Sequence, residues 1–68
     1  MREKASIKRY LAEGGFGFIS RAGVPDLYFH ISACGGVDES LLQPGTRVEF
    51  GVEITTRGPR AVDLILLG

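Results

Sequence analysis

Four flat side chains, three benzene rings and one imidazole, stand at alternating positions in two short stretches of this sequence. Phe16 and Phe18 alternate with glycines in the first stretch, and Tyr28 and His30 alternate with apolar residues in the second. Alternate side chains of a β-strand project to the same face, and the aliphatic face of each stretch suits a packed core. We therefore expect the four rings to share the outer face of two neighbouring strands.

A row of exposed rings is chemically suited to stacking on nucleic-acid bases. Every base has a π face, and stacking one base on an aromatic side chain contributes about 1 to 3 kcal/mol. Contiguous exposed apolar surface on a small protein typically marks a binding site. Gly15 and Gly17 fit this interpretation, because a strand without Cβ atoms bends and lets a partner or a neighbouring strand approach closely. The alternative is that the rings form ordinary core in a two-sided sheet.

Residues for catalysis or metal binding are scarce. His30 is the only histidine, and the sequence places no serine or carboxylate where it would turn this ring into a general base. Cys34 is the only cysteine, so no intrachain disulfide forms, and a structural zinc needs about four ligands. We predict no catalytic residue, no metal site and no cofactor, and we expect Cys34 to be a small buried apolar side chain. An enzyme is the least supported function.

Length and charge narrow the class of protein further. The 68 residues predict a single domain, 1–68, close to the smallest size that folds on one core. Eight basic and eight acidic residues argue against a duplex-DNA binder, which needs a strongly basic surface. The charged start is not followed by an apolar run of signal-peptide length, and no window approaches a membrane span. We expect an unexported cytoplasmic protein with no membrane partner.

Hydrophobic alternation predicts five strands and no long helix. The strands are expected at residues 5–11, 15–20, 26–30, 47–54 and 60–67. The fourth is the clearest, with Val48, Phe50, Val52 and Ile54 expected to point inward. A single helical turn is expected at 31–34, followed by a loop at 35–40. Five short strands separated by Gly/Pro turns are typical of a small all-β barrel, whose closure removes exposed sheet edges.

Two motifs carry a resemblance to the cold-shock domain family. The segments 15–19 (Gly-Phe-Gly-Phe-Ile) and 28–33 (Tyr-Phe-His-Ile-Ser-Ala) resemble its two ribonucleoprotein motifs, in the same order and spacing. Segments 44–50 and 57–61 are similar to later parts of that domain, so the resemblance covers nearly the whole chain. It implies a five-stranded antiparallel OB-fold barrel with Greek-key topology. It also implies binding of single-stranded RNA or DNA with low sequence specificity, and an RNA-chaperone role.

The resemblance also assigns roles to individual residues. It implies that the four rings are base-stacking positions, that Lys8 and Arg57 are basic positions near the strand, and that Asp26 is an acidic position beside the binding face. Arg9 stands where the family has tryptophan, and a guanidinium plane also stacks on bases. Asp26 is alternatively a turn-ending residue. The predicted nucleic-acid site comprises Lys8, Arg9, Phe16, Phe18, Asp26, Tyr28, His30, Arg57 and Arg60.

Several departures from the family pattern remove cationic or aromatic side chains from this site. Gly14 replaces a lysine, Ile31 replaces a phenylalanine, and the loop at 37–39 lacks the usual aromatic residue. Asp38 and Glu39 are expected near the groove, where they would repel phosphate. Because each stacked base contributes about 1 to 3 kcal/mol, two lost contacts weaken affinity by about two to three orders of magnitude.

Two hypotheses on the binding partner concern this face, and the oligomeric state is a separate expectation. The main hypothesis is a single-stranded RNA or DNA partner. The alternative function is an OB-fold module with weakened nucleic-acid affinity, which binds a protein partner through the same apolar face. We expect a monomer, with a domain-swapped dimer as the alternative.

Overall fold

The computed structural model describes residues 2–67, and these form five strands and two short 3₁₀ turns. The strands are β1 (Glu3–Leu11), β2 (Phe16–Ser20), β3 (Leu27–His30), β4 (Arg47–Thr55) and β5 (Gly58–Leu66). The 3₁₀ turns span Ile31–Cys34 and Glu39–Leu41, and the first confirms the predicted helical turn. Met1 and Gly68, the ends of the predicted domain, lie outside the described residues. No helix within 2–67 is long and apolar enough to cross a bilayer.

The strands close into a barrel in the order β1-β2-β3-β5-β4, with β4 pairing back to β1. This confirms the predicted all-β, five-stranded OB-fold barrel. Four of the pairings in the described chain are antiparallel, whereas β3 and β5 run parallel and meet at one residue pair, Tyr28 with Arg60. The parallel contact is the seam that closes the cylinder.

The core fills the barrel with the inward side chains of all five strands. Phe29 and Phe50 are its largest fully buried members, and burying a side chain of this kind contributes about 1.5 to 3 kcal/mol. Cys34 is 6% exposed, as predicted, and burial raises the pKa of its thiol. The buried apolar residues are Ala5, Ile7, Ile19, Leu27, Phe29, Cys34, Leu42, Val48, Phe50, Ala61 and Leu64.

One inward position was predicted wrongly. Val48 and Phe50 are completely buried and Val52 packs against the core, but Ile54 is 77% exposed. Ile54 pairs with Pro59 near the end of the β4–β5 hairpin. This end of the hairpin extends beyond the packed core, so the alternation of β4 continues where there is no longer an interior to face.

A bulge in β1 places two cations side by side. The pairing of β1 with β2 shifts between Ile7 and Arg9, which leaves Lys8 as the extra residue. Lys8 and Arg9 are consequently both exposed, although strand neighbours normally face opposite sides. The turn before β4 forms two backbone hydrogen bonds with β1 at the bulge. Ile7 N donates to Thr46 O at 2.9 Å, and Gly45 N donates to Ile7 O at 2.8 Å.

Tyr10 packs against the core and holds the start of the second 3₁₀ turn. Its ring lies 6.1 Å from that of Phe29 at an interplanar angle of 15°. Its hydroxyl donates to the Glu39 carboxylate, and this hydrogen bond raises the pKa of Tyr10 to about 12. Asp38 accepts from Ser40 N at 3.0 Å, which lowers the pKa of Asp38. Both carboxylates expected to repel phosphate thus have partners within the loop or on β1.

Candidate nucleic-acid interface

Three of the predicted rings form one packed group on β2 and β3, the ring cluster (Phe16, Phe18 and Tyr28). Phe18 pairs with Tyr28 across the two strands, and Phe16 pairs with His30. The Phe16 and Tyr28 rings are stacked, with centroids 5.9 Å apart. Phe18 meets the other two rings edge-on at 6.0 and 6.2 Å. The four predicted rings therefore lie on one face, in two cross-strand pairs.

This face is the outside of the barrel. Ile19, Leu27 and Phe29 alternate with the rings along the same strands and are completely buried. Tyr28 is 37% exposed, His30 is exposed, and Phe16 and Phe18 are half-buried. The rings are thus not the second core of a two-sided sheet, which was the alternative interpretation of the alternation.

Two glycines let aromatic rings lie close to the backbone, one on the core side of β2 and one on the outer face. A Cβ built on Gly17 would lie 2.6 Å from the Arg9 carbonyl oxygen and 2.7 Å from the Phe29 ring. A Cβ built on Gly14 would lie 2.3 Å from the Phe16 ring, which therefore rests against the backbone where the family has a lysine. Only glycine leaves room for these arrangements, as close backbone approach generally requires.

The His30 ring is held in place by the turn that follows it. His30 caps the first 3₁₀ turn, and its Nδ1 accepts from Ser32 N at 3.1 Å and lies 3.0 Å from Ser32 Oγ. Because Nδ1 accepts, a neutral ring carries its proton on Nε2. The imidazole is oriented by the protein and leaves its Nε2 edge for a ligand.

Arg9 and Lys8 lie at the β1 side of the ring cluster. Arg9 pairs with Phe18 across the strands, and its guanidinium carbon lies 5.5 Å from the centroid of the Phe18 ring. A cation over a ring at this distance is attracted to it, so the guanidinium extends the flat surface where the family has tryptophan. Lys8 Nζ contacts Asp26 Oδ2 at 2.8 Å. The predicted basic and acidic positions therefore form an ion pair with each other.

The β4–β5 hairpin forms the opposite side of the face. Tyr28 lines a cleft of about 530 Å³ together with residues 55–60. Arg60 donates through Nε and Nη2 to one oxygen of Glu53, at 3.1 and 2.7 Å. No carboxylate within residues 2–67 forms an ion pair with Arg57. Arg57 is thus a solvent-facing cation beside the Tyr28 ring, whereas Arg60 already has an anionic partner.

The structure adds residues that sequence patterns did not single out. Ser32 orients His30, and Glu53 neutralises Arg60. Leu11 pairs with Phe16 and is 37% exposed, so it extends the apolar face. The alternation of β4 correctly placed Glu53 outside, but its pairing with Arg60 depends on the hairpin register, which the sequence does not specify.

The assembled face has aromatic rings and one oriented imidazole. Its cations are of two kinds: Lys8 and Arg60 form ion pairs with carboxylates, whereas Arg57 has no ion pair within the described residues. Such a surface stacks flat groups and contacts anions at its edges. Within the described part of the chain, no three His, Cys, Asp or Glu side chains are grouped as metal ligands would be. The chemistry that these side chains support is non-covalent recognition.

Comparison with known proteins matches this geometry to a family. The model of the "Cold-shock" DNA-binding domain matches residues 3–67. The chain is 44% identical over 62 residues to the cold shock-like protein CspB of Yersinia pestis, covering 90% of this chain and 89% of that protein. It is 39% identical over 64 residues to the major cold shock protein of Streptococcus pyogenes, covering 94% and 96% respectively.

A solved structure supports the fold in the same way. The structure described as "drosophila Unr CSD456" superimposes with a TM-score of 0.78 at 24% sequence identity. The match covers 100% of this chain and 27% of that one. At this identity the likeness concerns the barrel itself.

Proposed function

Because this chain belongs to the cold-shock domain family, we propose that it binds single-stranded RNA or DNA on the ring cluster and His30, with little dependence on base sequence. The observation that supports this most directly is the exposed ring cluster, which lies outside a complete core. Three or four consecutive bases stack on these rings, and the protein performs no chemical step. Holding a strand in this way competes with base pairing, which is the basis of an RNA-chaperone role.

The cations of the face contact the backbone in this proposal. Arg57 meets a phosphate directly, because no described carboxylate neutralises it. Lys8 and Arg60 exchange their carboxylate partners for phosphate, and Arg9 stacks on a base or on Phe18. Since exposed ion pairs contribute only about 0 to 1 kcal/mol each, this exchange changes the free energy of binding little. Stacking therefore supplies most of the affinity, and the dependence on salt is shallow.

The proposal also includes a cellular compartment, the cytoplasm, and an oligomeric state, the monomer. A lone, buried Cys34 suits the reducing cytoplasm. We expect the barrel to be monomeric, with a domain-swapped dimer as the alternative. The single domain proposed for residues 1–68 has one core and one binding face.

Fluorescence anisotropy tests the proposal directly. A labelled heptathymidine and a labelled heptauridine are titrated with the protein at two salt concentrations. Phe18→Ala and Tyr28→Ala are each expected to lose about 1 to 3 kcal/mol of binding free energy, whereas Arg57→Ala mainly flattens the salt dependence. Ile65→Ala is the matched control, since Ile65 is an apolar residue 52% exposed on β5 and outside the ring cluster.

The outcome separates the two hypotheses for this face. Micromolar or tighter binding that depends on Phe18 and Tyr28 supports the nucleic-acid function. Equal, negligible losses in both ring variants would refute stacking on the cluster. No binding up to roughly 100 micromolar by the folded protein would direct the search to a protein partner for the same apolar face.

A further inference from the structure

The outer face of β1 and β2 continues beyond the rings as a polar row. Ser6 faces outward, because its neighbours Ala5 and Ile7 are buried. It pairs with Ser20 of β2 on one side and with Arg47 of β4 on the other. Arg47 Nη1 donates to Ser6 Oγ at 3.4 Å. Two hydroxyls and a guanidinium therefore lie next to one another across three strands.

These three residues line a cleft of about 680 Å³, within the size range of ligand sites. Lys4 lines it too, from the same outward face of β1. The loop after β2 closes one side through Arg21 and Val24. The full lining is Glu3, Lys4, Ala5, Ser6, Ser20, Arg21, Ala22, Val24 and Arg47.

The cleft has more cations than anions. Lys4, Arg21 and Arg47 face a single carboxylate, that of Glu3, which Arg21 contacts at 3.3 Å. Within residues 2–67 no carboxylate lies at ion-pair distance from Lys4 or Arg47. Glu49 is the cross-strand neighbour of Lys4, but its carboxylate is held by Arg2 at 2.6 Å.

The cleft lies next to the ring cluster along β2. Ser20 follows Phe18 by two residues, a distance of about 7 Å along a strand, which one extended nucleotide spans. Between the two lies a smaller cleft of about 370 Å³, lined by Lys8, Arg9, Phe18 and Asp26. Rings, a charged pair and the hydroxyl-and-cation cleft thus follow one another on a continuous face.

We propose that this cleft binds a backbone phosphate of the same strand whose bases stack on the ring cluster; the inference rests on the proposed function. Phosphate suits the donors present, because a guanidinium and hydroxyls donate directional hydrogen bonds to its oxygens and an ammonium adds charge. Contacts of this kind position a strand without reading its bases. The cleft therefore lengthens the site at one end and fixes where the strand leaves the rings.

The test uses a probe that supplies phosphates without bases. Tetrathymidine, which is no longer than the stacked segment, is compared with tetrathymidine carrying a short abasic extension at its 5′ end or at its 3′ end. Only one of the two extensions is expected to tighten binding, by about threefold to tenfold, the range for two exposed charge contacts. The same extension makes the slope of log binding constant against log salt concentration more negative by about 0.7 for each phosphate contact.

Variants assign that gain to the cleft. Arg47→Gln and Lys4→Gln together are expected to abolish the gain from the extension and to leave the affinity for plain tetrathymidine unchanged. Both side chains are exposed, so the fold tolerates the exchange, and circular dichroism checks this. Arg57→Gln removes one positive charge elsewhere on the face and tests whether loss of charge alone abolishes the gain. It should weaken both probes equally and preserve the gain.

The possible failures are distinguishable. Binding of plain tetrathymidine with no gain from either extension would overturn the cleft site and leave the ring-cluster function standing. A gain that survives in the double variant would also overturn it, because the extra phosphates would then lie elsewhere. If the folded protein binds neither probe, the proposed function and the cleft site fall together.

Discussion

Replacing Gly17 with alanine tests how closely β1 and the buried Phe29 ring approach the backbone between Phe16 and Phe18. The new Cβ would lie 2.6 Å from Arg9 O, 2.7 Å from Phe29 Cζ and 2.8 Å from Phe29 Cε1. Neither neighbour moves easily, since the carbonyl belongs to bulged β1 and the Phe29 ring is completely buried. Overpacking a core costs about 1 to 3 kcal/mol. Because the Cβ would meet backbone as well as a core ring, we expect a loss near the upper end, about 3 kcal/mol.

This loss is large for so small a protein. At about 0.05 to 0.15 kcal/mol per residue, 68 residues give a free energy of unfolding of about 3 to 10 kcal/mol. Urea unfolding followed by circular dichroism measures the difference. With a slope near 1 kcal/mol per molar urea, the midpoint of Gly17→Ala should fall by about 3 M, or the variant should be unfolded without urea.

Gly51 provides the matched control. It also lies inside a strand, but a Cβ there would meet Val62 Cγ2 at 3.4 Å, an ordinary contact. Gly51→Ala should therefore change the free energy of unfolding by less than about 1 kcal/mol, in the stabilising direction, because alanine restricts the unfolded chain. An unchanged midpoint for Gly17→Ala, or an equal loss for Gly51→Ala, would refute the argument from Cβ space.

Two further predictions concern Tyr10 and Gly14. In a Tyr28→Phe background Tyr10 is the only remaining tyrosine, and its ultraviolet titration should have a midpoint at about pH 12 instead of 10. Since the folded state holds this proton more tightly, the stability it contributes is complete below pH 10 and is lost as the pH rises through about 12. Glu39→Gln should return the midpoint towards 10, and a parent midpoint at 10 would contradict the hydrogen bond. Gly14→Ala should displace the half-buried Phe16 ring from the backbone, costing under about 1 kcal/mol of stability but about 1 to 3 kcal/mol of heptathymidine binding; unchanged anisotropy titrations would rule this out.

The architecture was predictable because its signals are local. Alternation at Phe16 and Phe18, and at Val48 and Phe50, fixes which face of each strand is buried. The expected close approach of a neighbouring strand at Gly17 is borne out by the Arg9 carbonyl of β1, 2.6 Å from a Cβ built on Gly17. The motif resemblance supplies the strand order, which alternation alone does not.

The contacts within the site depend on pairing register and on the extent of the core, which a local sequence pattern does not specify. Ile54 continues the alternation of β4 past the end of the core, so its exposure depends on where the barrel stops. The bulge that turns both Lys8 and Arg9 outward is a matter of pairing register. Register likewise decides that Lys8 meets Asp26 and that Arg60 meets Glu53. The roles of these residues in binding stay predictions.

The parallel seam between β3 and β5 links the thermal stability of the barrel to the binding of a single strand on the ring cluster. In the described chain this seam has one paired position, Tyr28 with Arg60, whereas β4 and β5 pair along most of their length. The seam is therefore where a warmed barrel opens first, since few backbone bonds hold it. Tyr28 is also a member of the ring cluster, so in the proposed function a stacked strand would brace the seam. We therefore expect the melting temperature to rise when a single strand is bound.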